Sequence, residues 1–212
     1  MSAPAAAPAL RLLTHRVTLT YLLVAGIWVV AGFVLRGFAS FGHLRYMVEL
    51  AAIMGIAAAG QTLVVIGAGI DLSVAGVITF TTMMVPLVSP AWDATGLVGV
   101  ALTLAMALGV GVLNGLGTVF LRVHPLVLTL ATATILRGVM FLIAGGSAVS
   151  TTNPAVIWLG NAHVLGAPVT ILTWIVVAAV ILALLHRTVF GAWVYAVGTN
   201  ERAARLSGAG VR

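Results

Sequence analysis

The stretch Val169-Thr170-Ile171-Leu172-Thr173-Trp174-Ile175-Val176-Val177-Ala178-Ala179-Val180-Ile181-Leu182-Ala183-Leu184-Leu185 carries no charge and closes on His186-Arg187. Such a run reads as a transmembrane helix, because a hydrocarbon core about 30 Å thick takes about 20 apolar residues. Five similar stretches precede it, at about 17–35, 47–68, 72–90, 96–118 and 125–144. The expected fold is therefore an all-α polytopic membrane protein of about six spans. Composition agrees: of 212 residues, 62% are apolar and only 7% charged, with a mean hydropathy of +1.21. A soluble domain carries about 25% charged residues. Ten Arg and four acids cannot cover a water-facing surface of this size, which excludes a cytosolic globular enzyme.

The first stretch follows Arg11, His15 and Arg16, which resemble the basic flank of a signal peptide, and Gly37-Phe38-Ala39 would serve as its cleavage site. Its apolar run is longer than a signal core, which favours an uncleaved span. With the N-terminus in the cytoplasm, Arg11, Arg16, Arg122, Arg187, Arg202, Arg205 and Arg212 fall inside, and only Arg36 and Arg45 outside, with Asp93 in another outer loop. The reverse orientation violates the positive-inside rule. The expected organisation is a cytoplasmic tail over 1–16, a transmembrane region over 17–186 and a cytoplasmic segment over 187–212, with both termini inside. The net charge of +6 then reflects Arg held at the cytoplasmic face rather than nucleic-acid binding.

All ten basic residues are Arg. A Walker A loop needs Lys on the phosphates, and Schiff-base chemistry needs a Lys amine. Any ATP-driven function must take its ATPase from another chain. Cys is absent, which excludes disulfides and thiolate chemistry. His15, His43, His124, His163 and His186 show no HExxH spacing, and no G-x-S-x-G elbow occurs. No catalytic residue, metal or cofactor is expected.

The third stretch is unlike the others. Gly67, Gly69 and Asp71 precede it, Ser73, Thr79, Thr81 and Thr82 run along it, and Pro86 interrupts it. Two readings stand: a tight interfacial turn in which Asp71 or Ser73 caps the helix, and a discontinuous helix beside a substrate path. Ala51, Gly55 and Ala59, and Gly111 with Gly115, have the four-residue spacing that lets helices approach in lipid. Glu49 and Arg137 fall inside spans, and an uncompensated Arg near the bilayer centre costs about 2.5–3.5 kcal/mol. An intramembrane Glu49–Arg137 pair is one solution; Arg137 on backbone carbonyls and Glu49 on headgroups or Arg45 is the other. Thr129, Thr132 and Thr134 join the threonines of the third span as pathway or packing candidates.

Past the last span, Thr199 or Asn200 can cap a helix that Gly208 would end, over about 200–207. Glu201 precedes Arg205 by the favourable four residues. A helix this short is unstable alone in water, so Ala203, Ala204 and Leu206 should dock on something.

That segment, Phe190-Gly191, Tyr195-Ala196-Val197-Gly198, Asn200 and Ala203-Ala204-Arg205-Leu206-Ser207-Gly208, resembles the coupling-helix region of bacterial ABC importer permeases of the ribose/simple-sugar group. Three further blocks agree in order: Gly60-Gln61-Thr62-Leu63-Val64-Val65-Ile66 with Gly69-Ile70-Asp71-Leu72-Ser73-Val74; Asn114-Gly115 with Val123-His124-Pro125; and Thr129-Leu130, Ile135-Leu136-Arg137-Gly138 and Gly145-Gly146. The resemblance implies the membrane subunit of an importer of a ribose-like monosaccharide in a bacterial inner membrane. It implies cytoplasmic ATPase subunits, a second permease chain and an extracytoplasmic sugar-binding protein as partners. It assigns ATPase coupling to Gly198, Asn200, Glu201, Ala203, Ala204, Arg205, Leu206 and Gly208, and it marks Gly69, Asp71, Ser73, Asn114 and Arg137 as pathway candidates.

Members of that group continue into further spans, whereas this sequence ends at Arg212. The resemblance therefore covers the N-terminal two-thirds of a permease, as a truncated product, a gene-model error or half of a split permease would. The alternatives are a branched-chain amino-acid permease, which Asp71-Leu72-Ser73 disfavours, and a non-functional fragment. A membrane-embedded enzyme would need acids or His converging at one depth, which the sequence does not show.

Overall fold

The computed structural model describes residues 16–89, 95–147, 150, 153–164 and 166–208; Arg11, His15, Asp93 and Arg212 lie outside the described residues. The fold is all-α, with helices α1 (Arg16–Val34), α2 (Phe41–Ile66), α3 (Val74–Val88), α4 (Leu97–Val119), α5 (Pro125–Ala144) and α6 (Pro154–Asn161). Two short strands follow, β1 (His163–Val164) and β2 (Ala167–Pro168), paired antiparallel with His163 opposite Pro168. The chain ends in α7 (Val169–Arg187), α8 (Val189–Thr199) and α9 (Glu201–Leu206). Among the described residues, α2, α4, α5 and α7 are long and apolar enough to cross a membrane, while α1, α3 and α8 are apolar but shorter. Apolar side chains stand open along these helices, Phe33 at 88% and Leu142 at 79% exposure. Lipid is the solvent that tolerates such faces.

The chain divides into two units, residues 1–50 and 51–212. In the first, Trp28 and Phe38 meet at 6.3 Å between ring centroids, and Phe38 stacks on His43 at 4.8 Å. Helix α2 begins six residues before the expected span, so Arg45 lies in a helix rather than in a loop. There Arg45 Nε donates to Glu49 Oε1 at 3.1 Å, one turn away.

The second unit is built around α3, which packs against α4 and α5. Gly76, Phe80 and Met84 are buried at four-residue spacing on α3, and Thr129, Ala133, Leu136 and Met140 are buried on α5. Phe80, Met84, Leu136 and Met140 form one apolar cluster. At Gly76 the backbones nearly touch: a Cβ there would stand 2.6 Å from Ala133 Cα. Gly55 instead leaves room for a side chain, the Trp174 ring. The spacing at Gly111 and Gly115 does not behave as expected, since neither meets anything within 4 Å; on α4 the tight contacts are made by Gly99 and Gly117. Small residues permit close approach, but which ones are used depends on where a neighbour lies.

Helix α3 is short for a span. Its 15 residues rise about 22 Å against a core of about 30 Å. Non-helical backbone over 69–73 leads into it. Such backbone inside a membrane protein needs surrounding protein to satisfy it, and neighbouring side chains supply its partners.

Candidate functional site: a hydrogen-bonded cluster at the entrance to α3

Helix α2 ends in a Schellman turn. Ala68 N–H donates to Val65 O at 3.0 Å and Gly69 N–H to Val64 O at 2.8 Å. The left-handed position falls on Ala68, with φ of 58°, and not on either flanking glycine. An L-residue there costs about 1–2 kcal/mol relative to a right-handed conformation. Ala68→Gly should therefore raise stability by about 0.5–1 kcal/mol, read as a higher thermal midpoint in detergent.

Beyond the turn the chain is tied at each step. Gln61 Nε2 donates to the Asp71 carbonyl at 2.6 Å, and Leu72 N–H donates to Thr129 Oγ1 at 3.0 Å. Asp71 Oδ1 accepts from Ser73 N–H at 2.7 Å and from Ser73 Oγ at 2.6 Å. Neither of the two residues expected to cap α3 reaches a first-turn N–H: Asp71 accepts from Ser73, the N-cap residue itself, and Ser73 makes no cap bond. Asn114 Nδ2 donates to Ser73 Oγ at 3.0 Å, and Thr132 Oγ1 donates to Asn114 Oδ1 at 2.6 Å. The amide orientation follows from the network: the Ser73 proton is committed to Asp71, so Ser73 Oγ must accept from Asn114. Ser73, Asn114 and Thr129 are buried. Asn114 lies five residues before the end of α4 and Thr132 seven after the start of α5, about 8–10 Å inside the helix ends by helical rise. Buried polar groups survive in such surroundings only when satisfied, and these are.

Asp71, Ser73 and Gln61 line a cavity of about 470 Å³ together with Ile53, Ala57 and Gly60. That size is within the roughly 300–1,000 Å³ of small-molecule sites, and mostly apolar walls with a few polar groups are usual there. The structure thus joins three of the sequence-derived candidates, Asp71, Ser73 and Asn114, in one cluster. Gly69 sits in the turn above it. Arg137 stands exposed on α5, and Glu49 pairs with Arg45. Gln61, Thr129 and Thr132 are the members that sequence reasoning did not single out from the rest. Thr79, Thr81, Thr82 and Thr134 bond only to carbonyls of their own helices.

The terminal segment forms a second feature. Thr188 opens α8 by accepting from Gly191 N–H at 3.2 Å. Gly198, near the end of α8, lies against the turn after α2: a Cβ there would run into Ile66 O and stand 3.4 Å from Ala68 N. Asn200 Oδ1 caps α9 by accepting from Ala203 N–H at 3.1 Å, and Arg205 pairs with Glu201 at 2.9 Å. Gly208 takes a positive φ of 83° past its end. Ala204 is buried where α9 packs back on α8, whereas Leu206 is 89% exposed. Ala203, Glu201 and Arg205 are also exposed. A crevice of about 1070 Å³ runs beside Gly67, Gly69, Arg122, Trp193, Glu201 and Arg205. Among the described residues no group of His, Asp and Glu has the arrangement of a metal site.

Comparison with known proteins supplies the context. The ribose import permease protein of Escherichia coli strain K12 is 33% identical over 180 residues, covering 82% of this chain and 55% of that protein. The L-arabinose transport system permease protein of the same strain is 33% identical over 177 residues, covering 81% and 52%. Its galactofuranose transporter permease protein is 31% identical over 176 residues, covering 81% and 50%. The chain thus spans about half the length of the curated relatives it matches. No solved structure matches it. Residues 44–212 match the family model described as the permease component of branched-chain amino acid transport systems, a span that includes the turn into α3, the buried cluster and the terminal helix pair, and the chain belongs to that family of membrane permeases.

Proposed function

We propose that this chain is the membrane-pathway subunit of an ATP-driven importer of a monosaccharide of the ribose type in a bacterial inner membrane. It works with a second permease chain, cytoplasmic ATPase subunits and an extracytoplasmic sugar-binding protein, and performs no covalent chemistry. The sugar-permease relatives support the substrate class. The sequence count, with Arg122, Arg187, Arg202 and Arg205 in expected inner segments against Arg36 and Arg45 in outer ones, supports cytoplasmic termini. The observation that carries the coupling role is α9 itself. It is capped, ion-paired and held down by Ala204, yet it presents Leu206 outward, uncovered by any of the described residues.

Leu206→Asp should reduce co-purification of the ATPase at least about tenfold, a loss of about 1.4 kcal/mol, and Leu206→Met should retain it. Equal recovery with Leu206→Asp would overturn the coupling role. A charge at Ala204 reports on the docking of α9 to α8 instead, because that side chain faces inward. The family description favours a second reading, a branched-chain amino-acid substrate. Uptake of labelled ribose against labelled leucine by the assembled importer separates the two.

A further inference from the structure

The backbone from Ile66 to Ser73 meets a different partner at each end. At its start Gly198 of α8 lies against Ile66 O and Ala68 N, backbone on backbone. At its far end Ser73 holds Asn114 of α4, which holds Thr132 of α5, while Leu72 N–H is bonded to Thr129. Between them the chain is fixed by the Schellman bonds of Ala68 and Gly69 and by Gln61 on the Asp71 carbonyl. A side chain at the contact could absorb a displacement by changing rotamer; a glycine seated on a carbonyl cannot. Packed interiors transmit such displacements because they hold few voids to take them up.

We propose that the Ile66–Ser73 segment is the transmission element of the permease, receiving the movement of α8–α9 at Gly198 and delivering it through Ser73–Asn114–Thr132 to α4 and α5. Gly198 and Thr132 are then positioning residues, and the wall being reset is that of the Gln61–Asp71 cavity. This rests on the transporter reading and adds the route by which the partner ATPase would act on the pathway. It requires two arrangements of the cluster, and Thr132 is the member with a second acceptor within reach. Thr132 Oγ1 lies 2.6 Å from Asn114 Oδ1 and 3.0 Å from Leu128 O, so its single proton has two acceptors to choose between.

The test uses the assembled importer and the absence of native Cys. Ala57→Cys places one thiol on the cavity wall, and its rate of reaction with a water-soluble maleimide is measured with and without trapped ATP. Rates are compared at equal amounts of bound ATPase. With no other change, ATP should alter the rate about fivefold or more, the low end of ordinary coupling between sites. In Gly198→Ala and in Thr132→Val, which keeps the shape of threonine but removes its hydroxyl, the alteration should collapse. Thr132→Ser should restore it. Persistence of the full alteration in Thr132→Val, or its loss in Thr132→Ser as well, overturns the route while leaving the transporter reading intact. No alteration by ATP even without the second substitution overturns both.

Discussion

Gly76→Val should cost the fold about 3 kcal/mol or more and leave little protein that unfolds cooperatively in detergent. Overpacking a well-filled core ordinarily costs about 1–3 kcal/mol because side chains shift to make room. At Gly76 the obstacle is Ala133 Cα, 2.6 Å from where a Cβ would sit, with Ala133 O at 2.9 Å. Backbone does not change rotamer, so α3 and α5 must separate along the row that also buries Phe80, Met84, Leu136 and Met140. Lipid supplies no hydrophobic drive to bring helices back together, which leaves close packing as their main attraction. Gly109→Ala and Gly115→Ala are the controls: nothing lies within 4 Å of either, and alanine is the better helix former by about 1 kcal/mol. A Gly76→Val protein with an unshifted thermal midpoint would show that α3 and α5 do not meet there.

Gly191→Val should free the terminal helices from the body of the protein. A Cβ at Gly191 would strike the carbonyl oxygens of Leu184 and Leu185, where α7 gives way to α8. Thr188 is the pivot of that corner, donating to Leu184 O and accepting from Gly191 N–H at 3.2 Å. With the corner opened, Gly198 cannot remain on Ile66. Amide exchange over α8 and α9 should accelerate about 100-fold, which corresponds to about 2.7 kcal/mol of lost local protection, while exchange in the apolar cluster of α3 and α5 changes little. Exchange rates that stay equal across α8 and α9 would show that the corner does not hold them.

What could be read from the sequence was local. Asn200 and Gly208 frame α9 because a cap and a left-handed stop act within a few residues. Helix α7 was legible because no charge interrupts 169–185. Asp71 and Ser73 stood out as polar residues at the entrance to an apolar stretch, but their partners are remote. Thr129 is 57 positions from Leu72 and Asn114 is 41 from Ser73. Thr132 looks like Thr134 in sequence, yet only Thr132 reaches a neighbouring helix. Which side of α5 faces Asn114 is decided by packing, and most threonines make the same hydroxyl bond to a carbonyl of their own helix. Ala68 was invisible for a related reason: with glycine on both sides, composition points to either neighbour for the left-handed turn. The start of α2 was missed because a charged pair one turn apart, Arg45 and Glu49, reads as an interface while it forms a helix.

The Thr132–Asn114–Ser73–Asp71 chain has a consequence for proton order. Every donor in it points toward the carboxylate, as along one row of an ice lattice, because each hydroxyl has one proton and Asp71 Oδ1 accepts from Ser73. The row cannot run the other way, because a Ser73 that donated to Asn114 would leave its oxygen and Asp71 Oδ1, 2.6 Å apart, with no proton between them. The sense of the whole row is therefore set at its carboxylate end, and removing the Thr132 hydroxyl would leave Asn114 Oδ1 without its donor while Ser73 still fixes the amide.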